Sequence, residues 1–142
     1  MRMLYWVVVL AFTGLIFYNS SLPAPVSDES SYFFVNLFAG INAFLDKPVP
    51  LPEMNHYVRK TAHFTEYFVQ ALLLCNAFQT DRTDRKNYHA CILLLSLMTA
   101  VFDEYIQLFS PGRSGQVTDI ILDFSGGFTG WLVFQLWKWI KR

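Results

Sequence analysis

The feature that most constrains this chain is the recurrence of long apolar runs. Crossing the hydrocarbon of a bilayer takes about 20 predominantly apolar residues in helix, and the 142 residues supply four stretches near that length. They cover about 3–20, 57–78, 88–109 and 117–140, and together they use more than half of the chain. Only 15% of residues are charged against 54% hydrophobic, which excludes a disordered protein and disfavours an ordinary soluble domain. The 11 basic and 11 acidic residues cancel, so the phosphate-neutralising charge that a nucleic-acid binder needs is missing and no nucleic-acid partner is expected. The expected fold class is an all-α membrane protein: one domain over 1–142, a four-transmembrane-helix bundle, with an extra interfacial amphipathic helix between spans 1 and 2.

The first run has one competing explanation. Arg2 precedes an apolar stretch, and Asn19, Ser20 and Ser21 follow it, as in a secretory signal. An Ala-x-Ala cleavage site is lacking, so an uncleaved helix is the preferred reading. The external segment, 21–56, is punctuated by Pro23, Pro25, Pro48, Pro50 and Pro52. Between Phe33 and Leu45, the apolar Phe34, Leu37, Phe38, Ile41, Phe44 and Leu45 recur at helical spacing, while Asn36, Gly40 and Asn42 lie off that stripe. A helix this short and one-sided lies in the membrane interface or packs on the outer end of the bundle.

Basic residues collect in cytoplasmic loops, and here they are unevenly placed. Arg2, Arg82, Arg85, Lys86, Lys138, Lys141 and Arg142 would share one side. Lys47, Arg59, Lys60 and Arg113 remain for the other, with nine of the acids there or in the membrane. The expected topology is multi-pass in the cell membrane with both termini cytoplasmic.

An ionisable side chain inside a span costs about 2.5–3.5 kcal/mol on insertion scales, so each needs a partner or a purpose. His63 and Glu66 share a face of the second run just inside Arg59 and Lys60, and Gln70 lies deeper. Asp103 and Gln107 share a face of the third run beside Glu104, and Asp119 and Asp123 share one of the fourth. With the topology above, all three sets fall at one level in the outer leaflet, below Arg113 in the Pro111-Gly112-Arg113-Ser114-Gly115 connection. The expected polar pocket therefore comprises Arg59, Lys60, His63, Glu66, Asp103, Glu104, Gln107, Arg113, Asp119 and Asp123. A structural ion-pair network among the same residues is the competing reading. Gly126-x-x-x-Gly130 and Gly127 suit close helix approach.

The strings Arg59-Lys60-Thr61-Ala62-His63-Phe64-Thr65-Glu66-Tyr67, Asp103-Glu104-Tyr105-Ile106-Gln107, Pro111-Gly112-Arg113 and Asp119-x-x-x-Asp123-x-x-Gly126-Gly127 resemble, in order and spacing, the VanZ-like family. The resemblance runs from about Tyr57 to Gly130. It implies a small multi-span bacterial membrane protein of the cell envelope, in a family named for a protein that lowers susceptibility to the glycopeptide antibiotic teicoplanin. Where this chain carries Asp123, many members of that family carry Asn, and the extra carboxylate favours cation binding.

Three classes of function fit the pocket. In the first, it binds or protects a lipid-linked wall precursor or another membrane lipid, with Arg113, Arg59 and Lys60 supplying donors to phosphate. Tyr57, Phe64, Tyr67, Phe102, Tyr105 and Phe109 would then flank a lipid chain or act as interface anchors. In the second, a divalent cation bound by Asp103, Asp119 and Asp123 serves a membrane enzyme acting on a head group. Neither Gly-x-Ser-x-Gly nor His-Glu-x-x-His occurs, one histidine is a poor start for a zinc site, and no catalytic residue is assigned. In the third, proton-coupled transport, the carboxylates would form a relay, but without an internal repeat a homodimer would be needed for a through-path. Cys75 and Cys91 are expected as buried, unbridged thiols toward the cytoplasmic side, and His56 and His89 suggest nothing specific.

Overall fold

The computed structural model describes residues 2–42, 49–80 and 88–141. The expected apolar positions Phe44 and Leu45 and the basic residues Lys47, Arg82, Arg85, Lys86 and Arg142 lie outside those residues. The described residues are helical throughout apart from short connections, in the order α1 (Arg2–Ser21), α2 (Ala24–Asn42), α3 (Leu51–Thr80), α4 (Tyr88–Gln107) and α5 (Val117–Ile140).

Three of these, α1, α4 and α5, are long and apolar enough to cross a membrane. By that measure three of the four expected spans are found among the described residues. At 30 residues α3 has the length, but Glu53, Arg59, Lys60, His63, Glu66 and Gln70 dilute its apolar content. It also begins six residues ahead of the expected Tyr57, because proline in a first turn fits helical φ and lacks only an N–H that would go unbonded there. Pro52 holds that position. For the same reason α2 starts at Ala24, with Pro25 inside its first turn, well before the expected Phe33.

The least apolar helix is the most enclosed. α3 touches each of the other four helices, and its closest neighbour is α5. Gly126 and Gly130 explain that approach: a Cβ at either would come within 2.3 Å of the Phe64 carbonyl oxygen or 2.4 Å of that of Phe68. Only hydrogen at these positions lets the two backbones meet.

Along its length the bundle divides into layers. At the α1 N-terminal end, Val9, Leu74, Cys75, Ala77, Ile92 and Phe134 form a buried cluster closed by Trp6, Phe78 and Trp131. Trp131 donates through Nε1 to His89 Nδ1 at 3.1 Å, which gives His89 an anchoring role that the sequence did not suggest. A second cluster around Ile16, Tyr67 and Ala100 lies midway. Beyond it the interior turns polar. The exterior is the reverse of a soluble protein: Leu10, Leu94, Met98, Val101, Leu132 and Leu136 are all exposed. Cys91 is exposed as well, which corrects its expected burial; Cys75 is buried and both thiols are free.

Candidate functional site

The polar end is assembled from the first half of α3, whose successive side chains reach different neighbours. Arg59 donates to Asp28 Oδ1 of α2 at 3.0 Å, and Asn55 donates to the same oxygen at 3.2 Å. Lys60 turns the other way and pairs with Asp119 in the first turn of α5. Glu66 accepts from Asn19 Nδ2 at the end of α1 at 2.9 Å. His63 faces the bundle interior, with Nδ1 3.6 Å from Asp123 Oδ1 and 4.0 Å from Asp103 Oδ2. One helical ladder therefore draws α1, α2, α4 and α5 around it.

The acids fall into two kinds. Glu104 is fully engaged: its Oε2 accepts the Gln116 backbone N–H at 2.7 Å while Oε1 accepts Gln107 Nε2 at 3.0 Å. It ties the end of α4 to the start of α5, where Gln116 caps the helix without a side-chain bond. Asp103 and Asp123 are wholly excluded from solvent. Asp103 accepts a long 3.4 Å contact from Gln107 at Oδ2, while its Oδ1, both oxygens of Asp123 and Nδ1 of His63 have no hydrogen-bond partner.

Above them the connection between α4 and α5 turns at Gly112, whose φ of 78° is a conformation side-chain-bearing residues rarely adopt. It is pinned to the α1–α2 corner by the Ala24 N–H donating to the Pro111 carbonyl at 3.0 Å and by the Ser110 hydroxyl donating to the Ser20 carbonyl at 2.9 Å. Arg113 follows, donating to the Asn19 carbonyl at 3.3 Å and leaving its buried Nε without a partner. Burial, with the nearby charge of Arg59, lowers its guanidinium from the ordinary value, yet a group that starts so high stays charged at neutral pH.

Three cavities meet here. A polar one of about 240 Å³ is lined by Asn19, Ser20, Ser27, Ser31, Arg59, His63, Glu66 and Arg113, among others. A smaller one of about 160 Å³ holds Lys60, Gln107, Gln116 and Asp119, and shares Arg59, His63 and Arg113 with the first. The third is an apolar groove of about 600 Å³ formed by Phe12, Phe34, Met54, Tyr57, Val58, Ala62 and Val69, with Glu66 at its edge. Phe34, Val58, Ala62 and Glu66 wall both the groove and the first polar cavity.

Of the ten expected pocket residues, Arg59, Lys60, His63, Glu66, Gln107, Arg113 and Asp119 line these cavities, while Asp103, Glu104 and Asp123 sit behind them. His63 and Glu66, grouped by spacing, diverge to different partners. The expected cation group of Asp103, Asp119 and Asp123 does not form as a unit: Asp119 is taken by Lys60, and among the described residues His63 joins Asp103 and Asp123 instead. Tyr67, read as a flank for a lipid chain or an interface anchor, is completely buried between layers. Phe102, Tyr105 and Phe109 are exposed and line none of the three cavities; Tyr57 does line the groove. Asn19 and Asp28 were missed, and nothing in their local sequence distinguishes them, since their roles depend on how the α1–α2 corner folds back.

No curated protein and no solved structure matches the chain. The model of the VanZ/LLP1 family matches residues 4–138, nearly the whole chain. With the four motifs gathered at one end of an apolar-surfaced helical bundle, the chain belongs to the VanZ/LLP1 family of proteins.

Proposed function

We propose that this protein spans the bacterial cell membrane four times, with both termini cytoplasmic, and binds the anionic head group of a lipid-linked envelope component in an outward-facing pocket. The observation that carries this reading is the shared wall between cavity and groove. Phe34, Val58, Ala62 and Glu66 border both, so a phosphate held near Arg59 and Arg113 has an apolar trough beside it for its chain. Arg113 offers an unpartnered Nε, and guanidinium is the side chain best suited to a phosphate.

The fourth span is α3. Thirty residues of helix extend about 45 Å, more than the hydrocarbon thickness, and contact with all four other helices shelters its polar face from lipid. α2 lies in the outer interface: Tyr32, Phe33 and Leu37 are exposed while Val35 is buried, so its aromatic side is free to enter the head-group region. The known residues of basic character, Arg2, Lys138 and Lys141, lie at the opposite end from the pocket, which supports the orientation under the positive-inside rule. Sequestering or shielding a wall precursor would give such a protein a route to teicoplanin-type resistance.

Lipid extraction from the purified chain, followed by mass spectrometry, tests the reading. A phosphate-bearing lipid is expected to co-purify and to fall by about tenfold in the Arg59→Gln/Arg113→Gln double variant, the loss of charge-assisted hydrogen bonds. Ala62→Trp, which fills the junction of cavity and groove, is expected to do the same. Unchanged lipid content in both variants would sink the proposal.

A further inference from the structure

We infer that His63, Asp103 and Asp123 form a binding site for one divalent first-row transition ion, of the manganese or zinc class, at the back of the polar cavities. This goes beyond lipid binding and does not depend on it.

Three helices each contribute one residue, and one potential ligand atom from each lies within 4.8 Å of the other two. Ligands of a tetrahedral ion with bonds of about 2.0–2.1 Å stand roughly 3.4 Å apart, so the His63–Asp123 separation of 3.6 Å is close to a bound geometry and the 4.0 Å to Asp103 needs a modest contraction. The second observation is the state of the donors. Asp123 has no solvent exposure and neither of its oxygens accepts a hydrogen bond, its nearest basic group being His63 Nδ1 at 3.6 Å. Uncompensated buried carboxylates are strongly destabilising. Among the described residues no lysine or arginine forms an ion pair with Asp103 or Asp123: Lys60 pairs with Asp119, Arg59 with Asp28, and Arg113 donates to the Asn19 carbonyl.

A protonated His63 would offset one charge and leave one, whereas a dipositive ion offsets both carboxylates and takes the neutral imidazole as a ligand. The mixed nitrogen and oxygen set favours a first-row transition ion over magnesium or calcium, which prefer all-oxygen sites. Gln107, donating to Asp103 Oδ2, is placed to orient that ligand from outside. Access runs past His63, whose side chain is 20% exposed and lines both polar cavities.

The test uses the full chain purified in detergent, stripped with a chelator and dialysed, then titrated with Mn²⁺ or Zn²⁺ alone and no added lipid. One ion per chain is expected, with a rise in melting temperature. Asp123→Asn and His63→Gln, their folding checked by circular dichroism, are expected to weaken binding by about 100-fold, while Asp119→Asn retains it. No stoichiometric ion in the native chain, or equal binding by Asp123→Asn, overturns the site. So does an Asp119→Asn variant that loses as much affinity as Asp123→Asn, because then the acidic face as a whole attracts the ion. Because lipid is absent throughout, failure here leaves the lipid-binding result standing, and the reverse holds too.

Discussion

Glu104 and Asp123 are both buried carboxylates on membrane-type helices, yet their surroundings assign them opposite work. Glu104 satisfies a backbone N–H at the uncapped start of α5 and the amide of Gln107. Glu104→Ala would take the acceptor from the Gln116 N–H and leave Gln107 with only its long contact to Asp103, and is expected to lower stability by about 1 kcal/mol, seen as a lower melting temperature in detergent with or without a divalent ion. Spacing alone could place Glu104 beside Asp103 and Gln107, since residues three and four apart share a face. It could not show that Glu104 is spent on a helix end while neither oxygen of Asp123 accepts a hydrogen bond. That distinction depends on the backbone of Gln116, twelve residues on, and on the path of the connection between them.

Among the elements, α3 and α5 show what periodicity and motif can and cannot reveal. Gly126-x-x-x-Gly130 announces close packing in the sequence, and the structure supplies its partner, the carbonyl ridge of Phe64 and Phe68. Gly126→Ala forces α5 off α3 and is expected to cost about 2 kcal/mol or more. Gly14→Ala on α1, where an added Cβ meets nothing within 4 Å, is expected to leave stability unchanged or raise it by up to about 1 kcal/mol; thermal unfolding of the two variants side by side checks the contrast. The beginnings of α2 and α3 were less legible. Their prolines read as breakers, but Pro25 and Pro52 sit in first turns, where the ring is accommodated.

For the whole molecule, the sequence made the layering readable before the packing. Apolar runs with their ionisable residues near one end predict a bundle with a polar end, and the described residues place the Val9–Leu74–Phe134 cluster opposite the Arg59–Arg113 cavities. The order of neighbours was not readable, because no run says which helix it will touch. That the most charged of the long helices occupies the centre follows from solvent economy: in lipid, the helix with the most polar groups gains most from being surrounded by protein. The same placement sets a problem of timing. On the proposed four-span topology the ribosome delivers α3 before α4 and α5, so Arg59, Lys60, His63 and Glu66 would reach the membrane while Asp103, Asp119 and Asp123, and the loop that docks on the α1–α2 corner, are still unmade. A chain cut after Thr80 is expected to leave α3 largely uninserted in a glycosylation-mapping assay, and lengthening it through α5 to restore insertion. Efficient insertion of the cut chain would show that α3 carries itself across. On the proposed topology the last-made helix would complete the membrane passage of one synthesised some forty residues earlier, and nascent chains stalled in between would be the species that quality control meets.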